Sequence, residues 1–248
     1  TASGVCAVVG GGHDNTASGT CTTVGGGRSN TSAGTTATIA GGMLNVADDD
    51  RAFVGGGVCN YSTAADSTVV GGACLSAAAV EAFAGGGRLN AACGIQSTVV
   101  GGLSNVATSA NAFVGGGGQN AAHGLSAVAV GGHKNIACGR VSFVGGGCHN
   151  KTSTDYATVV GGYCNQANGL SAFVGGGYCN VAAGLGAAIA GGCVNIANNC
   201  FSSVGGGWCN NACGDGAVVG GGVCNSATEK YTAVFGGFGN CTTDCYSS

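Results

Sequence analysis

An asparagine stands at residue 15 and at every later multiple of fifteen through Asn240, with Leu75 the single departure. Three residues ahead of each of these positions a glycine pair ends, from Gly11-Gly12 and Gly26-Gly27 through Gly236-Gly237, and all sixteen copies keep it. A clock this strict leaves few folds open: one structural unit is stacked on itself, and each copy buries its apolar face only against its neighbours. We therefore read residues 1–248 as a single repeat domain. Thr1-Ala2-Ser3-Gly4 matches Thr16-Ala17-Ser18-Gly19, and Thr242-Thr243-Asp244 again falls part-way through a unit, so the sequence reads as a segment of a longer protein.

Within one unit, such as Asn165 to Cys179, the small and apolar residues alternate: Ala167 and Gly169 in one arm, Ala172 and Val174 in the other. Alternation is the period of a strand, and glycine at this density is incompatible with a helix. The expectation is an all-β parallel β-solenoid, or β-roll, of about sixteen 15-residue coils. Val9, Val24, Ile39, Val54, Val69 and Val99 would form an apolar column, Ala7, Thr22, Ala37, Ala52, Ser67 and Ala82 a small one, and the asparagines an amide ladder at a turn, each side chain bonding those above and below.

A second clock runs at thirty residues. Phe53, Phe83, Phe113, Phe143 and Phe173 each precede a glycine by two residues, while the intervening rows put a smaller residue beside Val70, Val100, Val130 and Val160. Voids and clashes both cost energy in a packed contact and not in solvent. These nine residues are therefore trimer-axis candidates, with three identical chains meeting around a closed symmetry axis. The alternative is a wider solenoid holding both columns inside its own core.

The composition limits function. Only 7% of residues are charged, against roughly a quarter in an ordinary domain, and the net charge is −3. Seven scattered basic residues make no nucleic-acid footprint, and no apolar run is long enough to insert in a membrane. Four histidines and ten carboxylates, spread over many units, assemble no nucleophile, base and orienting group, so no catalytic residues are assigned, no cofactor is expected, and a β-helical enzyme is the least favoured reading.

The unit Asn-x-Ala-x-Gly-x-x-Ser-x-Val-x-Gly, seen from Asn90 through Ser97 to Gly101, resembles the YadA-like head repeats of trimeric autotransporter adhesins. That resemblance covers the whole chain and implies a left-handed parallel β-roll, three of which form a head used for attachment. The family repeat is usually one residue shorter, so the doubled glycine looks like an inserted corner residue. The sixteen cysteines are also foreign to bacterial heads and fit a related repeat protein in another setting, such as the surface fibre of a large DNA virus. The resulting expectation is a structural or adhesive segment of a trimeric fibre on a cell or virion surface. Its partners would be its own copies and a host-surface glycan or protein, met through Arg88, Tyr163, Tyr178 and Trp208. The alternative is an ice-binding or other flat-face binding solenoid, using Thr23, Thr38, Thr68, Thr98 and Thr158, whose column phenylalanines interrupt.

Four cysteine pairs sit one coil apart in a shared column: Cys6 with Cys21, Cys59 with Cys74, Cys164 with Cys179, and Cys209 with Cys224. They are disulfide candidates by spacing, and equally they are small corner residues that stay reduced. His133, Cys148, His149 and Cys164 fall in two adjacent columns over successive coils and are candidate zinc ligands without the tight local spacing of a zinc finger. Asp48-Asp49-Asp50-Arg51 replaces the usual small turn; it reads as a solvated, charged bulge rather than a Ca²⁺ loop. Asn30, Asn60, Asn150 and Asn240 meet the glycosylation pattern only because the repeat supplies the asparagine.

Overall fold

The computed structural model describes residues 1–242; Thr243 and Asp244, part of the expected terminal half-unit, lie outside the described residues. The chain comprises two compact units, Thr1–His123 and Gly124–Ser248, and the same coil builds both. The described residues are all-β, a parallel β-solenoid of about 16 coils in which every strand is a two-residue segment.

Each coil contributes two strands and one single-residue bridge. In the first unit Thr23–Val24 pairs in parallel with Thr38–Ile39, Thr31–Ser32 pairs with Val46–Ala47, and Arg28 bridges Met43. In the second unit Thr158–Val159 pairs with Phe173–Val174, Gln166–Ala167 with Val181–Ala182, and Tyr163 bridges Tyr178. All partners occupy equivalent positions of successive coils, so the sequence repeat is itself the pairing register.

Strands this short hold because four columns face inward. The Val/Ile column is fully buried from Val24 and Ile39 to Ile189 and Val219, and the two small columns, Ala17 to Ala227 and Thr22 to Ala217, are buried beside it. With one branched side chain and two small ones per coil the core is thin. A buried Val contributes roughly 1.5–3 kcal/mol. Hydroxyls enter this core in pairs where they can, with Ser62 Oγ 2.6 Å from Ser67 Oγ and Thr22 Oγ1 2.5 Å from Ser32 Oγ.

The fourth inward column is the asparagine. Asn165 Nδ2 donates to Gly161 O of its own coil and to Gly177 O of the next, each at 2.9 Å, and its Oδ1 accepts the backbone N–H of Asn180 at 2.9 Å. Asn45 repeats this with Gly41, Gly57 and Asn60, each contact 3.0 Å. The ladder therefore differs from the one expected. Its rungs are chiefly side chain to backbone, and bonds from one amide to the next are confined to a few steps such as Asn30 to Asn15 and Asn180 to Asn165. Three satisfied groups per side chain explain why Asn recurs, since Asp lacks the donor and Gln would overreach. Leu75 is buried and its N–H still donates to Asn60 Oδ1, but it offers nothing to Gly71, Gly87 or the N–H of Asn90.

The corners depend on left-handed backbone. The residue just before the asparagine and the residue between the two strands have φ near +55° throughout, as at Cys164 (58°) and Arg51 (57°). There the amide reverses: strand amides donate to the following coil, as Val160 N to Val174 O at 3.0 Å, whereas Cys164 N donates back to Cys148 O at 2.9 Å. Few residues other than Gly, Asn and Asp hold this conformation cheaply. Val141 and Val194 nonetheless do so, with φ of 55° and 56°. The second glycine of each pair is fixed more firmly. Gly27 has φ of +92°, and a Cβ there would overlap the carbonyl oxygen of Gly42; the first of the pair is freer, for a Cβ on Gly41 meets nothing within 4 Å.

The expected bulge at Asp48 to Arg51 does not form. The strands on either side keep register, Val46–Ala47 with Tyr61–Ser62 and Phe53–Val54 with Thr68–Val69. The acidic run fits the ordinary turn because its side chains point outward and find partners there.

Candidate functional site

The second-clock residues lie on an outer sheet face, not in a widened core. Val99 is fully buried while Val100 is 48% exposed, and Phe53, Phe173, Val70, Val130 and Val160 are exposed as well; Phe83, Phe113 and Phe143 are half-buried. The structure gives the alternation a cause within one chain. The rings of Phe53, Phe83, Phe143 and Phe173 lie over the glycine two residues on, so that a Cβ on Gly85 or Gly145 would stand 3.1 Å from Cε1 of Phe83 or Phe143. A row of ring over glycine and a row of threonine or valine beside valine alternate, and within each unit the two kinds of row tile an apolar sheet face. Thr38, Thr68, Thr98 and Thr158 stand half-exposed on this face with phenylalanine rows between them.

A second surface is the corner that carries the column His133, Cys148, Tyr163, Tyr178, Cys193 and Trp208, together with the left-handed column Lys134, His149, Cys164 and Cys179 beside it. Here the side chains point away from a fixed backbone and successive coils bring them into contact. Tyr163 and Tyr178 stack with centroids 5.3 Å apart and planes 7° apart, and His149 leans on Tyr163 at 5.8 Å. The two tyrosines thus spend facing ring surfaces on each other, while Trp208 is exposed. Cys148 Sγ lies 3.1 Å from His149 Nδ1 and 3.9 Å from His133 Nδ1. Ligand atoms of His133, Cys148 and His149 all fall within 4.8 Å of one another. Cys164, the fourth residue of the expected constellation, is not in that group; its thiol hydrogen-bonds Cys179 instead.

The fifteen described cysteines are free thiols. Three of the expected pairs are brought into thiol–thiol contact, Cys59 with Cys74, Cys164 with Cys179 and Cys209 with Cys224. Lost solvation, followed by the hydrogen bond with the partner thiol, raises Cys74, Cys179 and Cys224 above the ordinary thiol pKa. Cys6 and Cys21 share the other left-handed column and are both exposed.

The carboxylates of the acidic turn diverge. Asp49 Oδ1 accepts the N–H of Asp50, Asp50 Oδ1 accepts the N–H of Thr35, and Arg51 makes a two-pronged pair with Asp66 at 2.5 and 2.7 Å. That pair raises Arg51 and lowers Asp66, in both cases chiefly through the hydrogen bond between them. Asn30, Asn60 and Asn150 are buried with Nδ2 engaged, which closes those three glycosylation patterns.

Residue spacing found the outer face and the histidine–cysteine corner. It also paired the cysteines whose thiols come into contact, and it missed the tyrosine stack, which follows from a shared column once a coil-to-coil spacing of about 4.8 Å is accepted. Among the described residues no pocket is found, and no helix is long and apolar enough to cross a membrane. Comparison with protein-family models and with curated proteins finds no match.

Proposed function

We propose that this chain is a non-catalytic, structural or adhesive segment of a homotrimeric surface fibre, located on a cell or virion surface. The observation that carries the reading is the exposed apolar sheet face of each unit, with Phe83 over Gly85, Val70 and Val100 in the first and Phe143 over Gly145, Val130 and Val160 in the second. Contiguous apolar surface of this kind on a soluble molecule marks a contact surface. Identical chains are its natural cover, because a periodic face is complementary to another face of the same period. The likeness to trimeric adhesin heads supports three copies rather than two. Attachment to a glycan or protein falls to the variable corners, where Trp208 keeps an exposed ring.

Absolute mass by light scattering, with and without reductant, tests this. The expected value is three times 23.2 kDa. The double variant Val100→Lys, Val160→Lys should give monomers with an unchanged β circular-dichroism spectrum, since both side chains point outward. A monomeric parent chain would overturn the trimer and turn attention to the flat face as a ligand surface, for which inhibition of ice recrystallisation is the first assay.

A further inference from the structure

We propose that His133, Cys148 and His149 form a binding site for a single zinc-class divalent transition-metal ion, closed by a solvent ligand in the fourth position. The site does not depend on the fibre reading and lies wholly within the second unit.

Three observations converge. The first is ligand type: one thiol and two imidazoles suit a borderline-soft ion, and hard cations such as Ca²⁺ and Mg²⁺ prefer oxygen. The second is distance. Bond lengths of about 2.3 Å to sulfur and 2.0–2.1 Å to nitrogen put tetrahedral ligand atoms about 3.3–3.6 Å apart. The ligand separations here are 3.1 Å and 3.9 Å from Cys148 Sγ to the two Nδ1 atoms, with all three ligands inside 4.8 Å. Small rotations of exposed side chains bridge the difference. The third is backing: His133 and Cys148 are bridge partners in adjacent coils, and His149 follows Cys148 with φ of 58°, so the backbone places all three. The His133 and His149 rings meet nearly edge to face, 6.0 Å between centroids at 73°. Tyr163 packs on His149 from the next coil.

Binding displaces the Cys148 S–H proton to solvent and forms one metal–sulfur and two metal–nitrogen bonds, one proton leaving for each ion bound. Because Cys164 is turned to Cys179, the fourth position stays open to water or to a donor atom from another molecule. An ion held this way adds an outer side-chain tie between coils that the backbone and the Asn135 bond to Gly147 already join.

Cobalt titration of the fully reduced chain tests the proposal. One equivalent should produce the visible bands of a tetrahedral ion and a thiolate-to-metal charge-transfer band. Cys148→Ser and His149→Asn, the latter keeping a residue that tolerates left-handed backbone, should each weaken binding by more than about 100-fold, since even an outer partner of a metal ligand is worth 10–100-fold. Cys179→Ser should leave the titration unchanged. Because other thiols could bind cobalt, a second readout uses the parent chain alone: zinc should protect Cys148 from alkylation, mapped by mass spectrometry. Identical bands in Cys148→Ser, or protection that falls on cysteines other than Cys148, would overturn the assignment.

Discussion

Asn165 and Cys164 are neighbours in the chain, yet their columns follow opposite rules. The asparagine is buried, points into the coil and is fixed by bonds to Gly161, Gly177 and Asn180. The residue before it points outward from left-handed backbone, and its column holds Asp14, Ser29, Leu44, Cys74, Gln119, Lys134, His149 and Val194. The inner column sets the backbone so firmly that the outer one is released from structural duty. Chemistry collects beside the residue that has already secured the turn: the thiol contacts and His149 stand in this outer column, and His133 and Cys148 in the bridge column next to it.

Breaking the inner column should have the largest effect. Asn165→Ala takes the partner from the Gly161 carbonyl and from the Asn180 N–H, while the Gly177 carbonyl keeps the Tyr163 N–H, and at about 1–3 kcal/mol for each unsatisfied group it should destabilise the chain by at least ~2 kcal/mol in denaturant unfolding. Cys164→Ser, one residue away, should change stability by less than about 0.5 kcal/mol. Equal costs at the two positions would dissolve the contrast.

Relieving strain in the outer column should be milder and opposite in sign. Val194 is β-branched at φ of 56°, and Val194→Gly should raise stability by about 1 kcal/mol, read as a higher midpoint. Leu75→Asn tests whether the inner column tolerates restoration. Up to three bonds at about 1 kcal/mol each would replace a buried leucine worth roughly 2–3 kcal/mol, so the net gain should stay under about 1 kcal/mol. A large loss would mean that the coils around Leu75 have settled to its shape.

The thiol pairs sharpen the comparison without altering stability at neutral pH. A raised pKa lowers the thiolate fraction at any given pH. Cys74, Cys179 and Cys224 should therefore alkylate more slowly than an unperturbed thiol, with rate profiles displaced to higher pH. Any stability from these thiol contacts is present below the ordinary thiol pKa and is lost as pH rises through the raised value. A count of sixteen reactive thiols in denaturant would fix the pairs as reduced, and a deficit would fix them as oxidised rungs. The smallest effect belongs to an exposed ion pair. Asp66→Asn should lower the unfolding midpoint only slightly at low salt, and less as salt is added.

The fold was legible because period and pairing are the same thing here. Asn, Gly pair and Val recur at the spacing that becomes the register, so the columns could be written down before any coordinates. The turn at Asp48 to Arg51 was misread because charge suggested a bulge, whereas an outward turn asks little of side-chain chemistry. The asparagine bonds were half legible: Asn at a buried turn implies amide bonding, but its carbonyl partners on Gly161 and Gly177 depend on peptide orientation that a sequence does not display. Exposed contacts such as Tyr163 on Tyr178 depend on rotamers as well as columns.

The ring-over-glycine rows carry an implication for inheritance. A single-coil deletion would leave every backbone donor an acceptor, yet within the stretch from Phe53 to Phe173 loss of a threonine or valine row would set two phenylalanine rows side by side, an arrangement that this chain never uses, and loss of a phenylalanine row would set two of the smaller rows together. Unequal crossing-over can therefore lengthen or shorten that stretch with its alternation intact only in pairs of coils, which makes the two-coil unit the quantum in which such a gene grows.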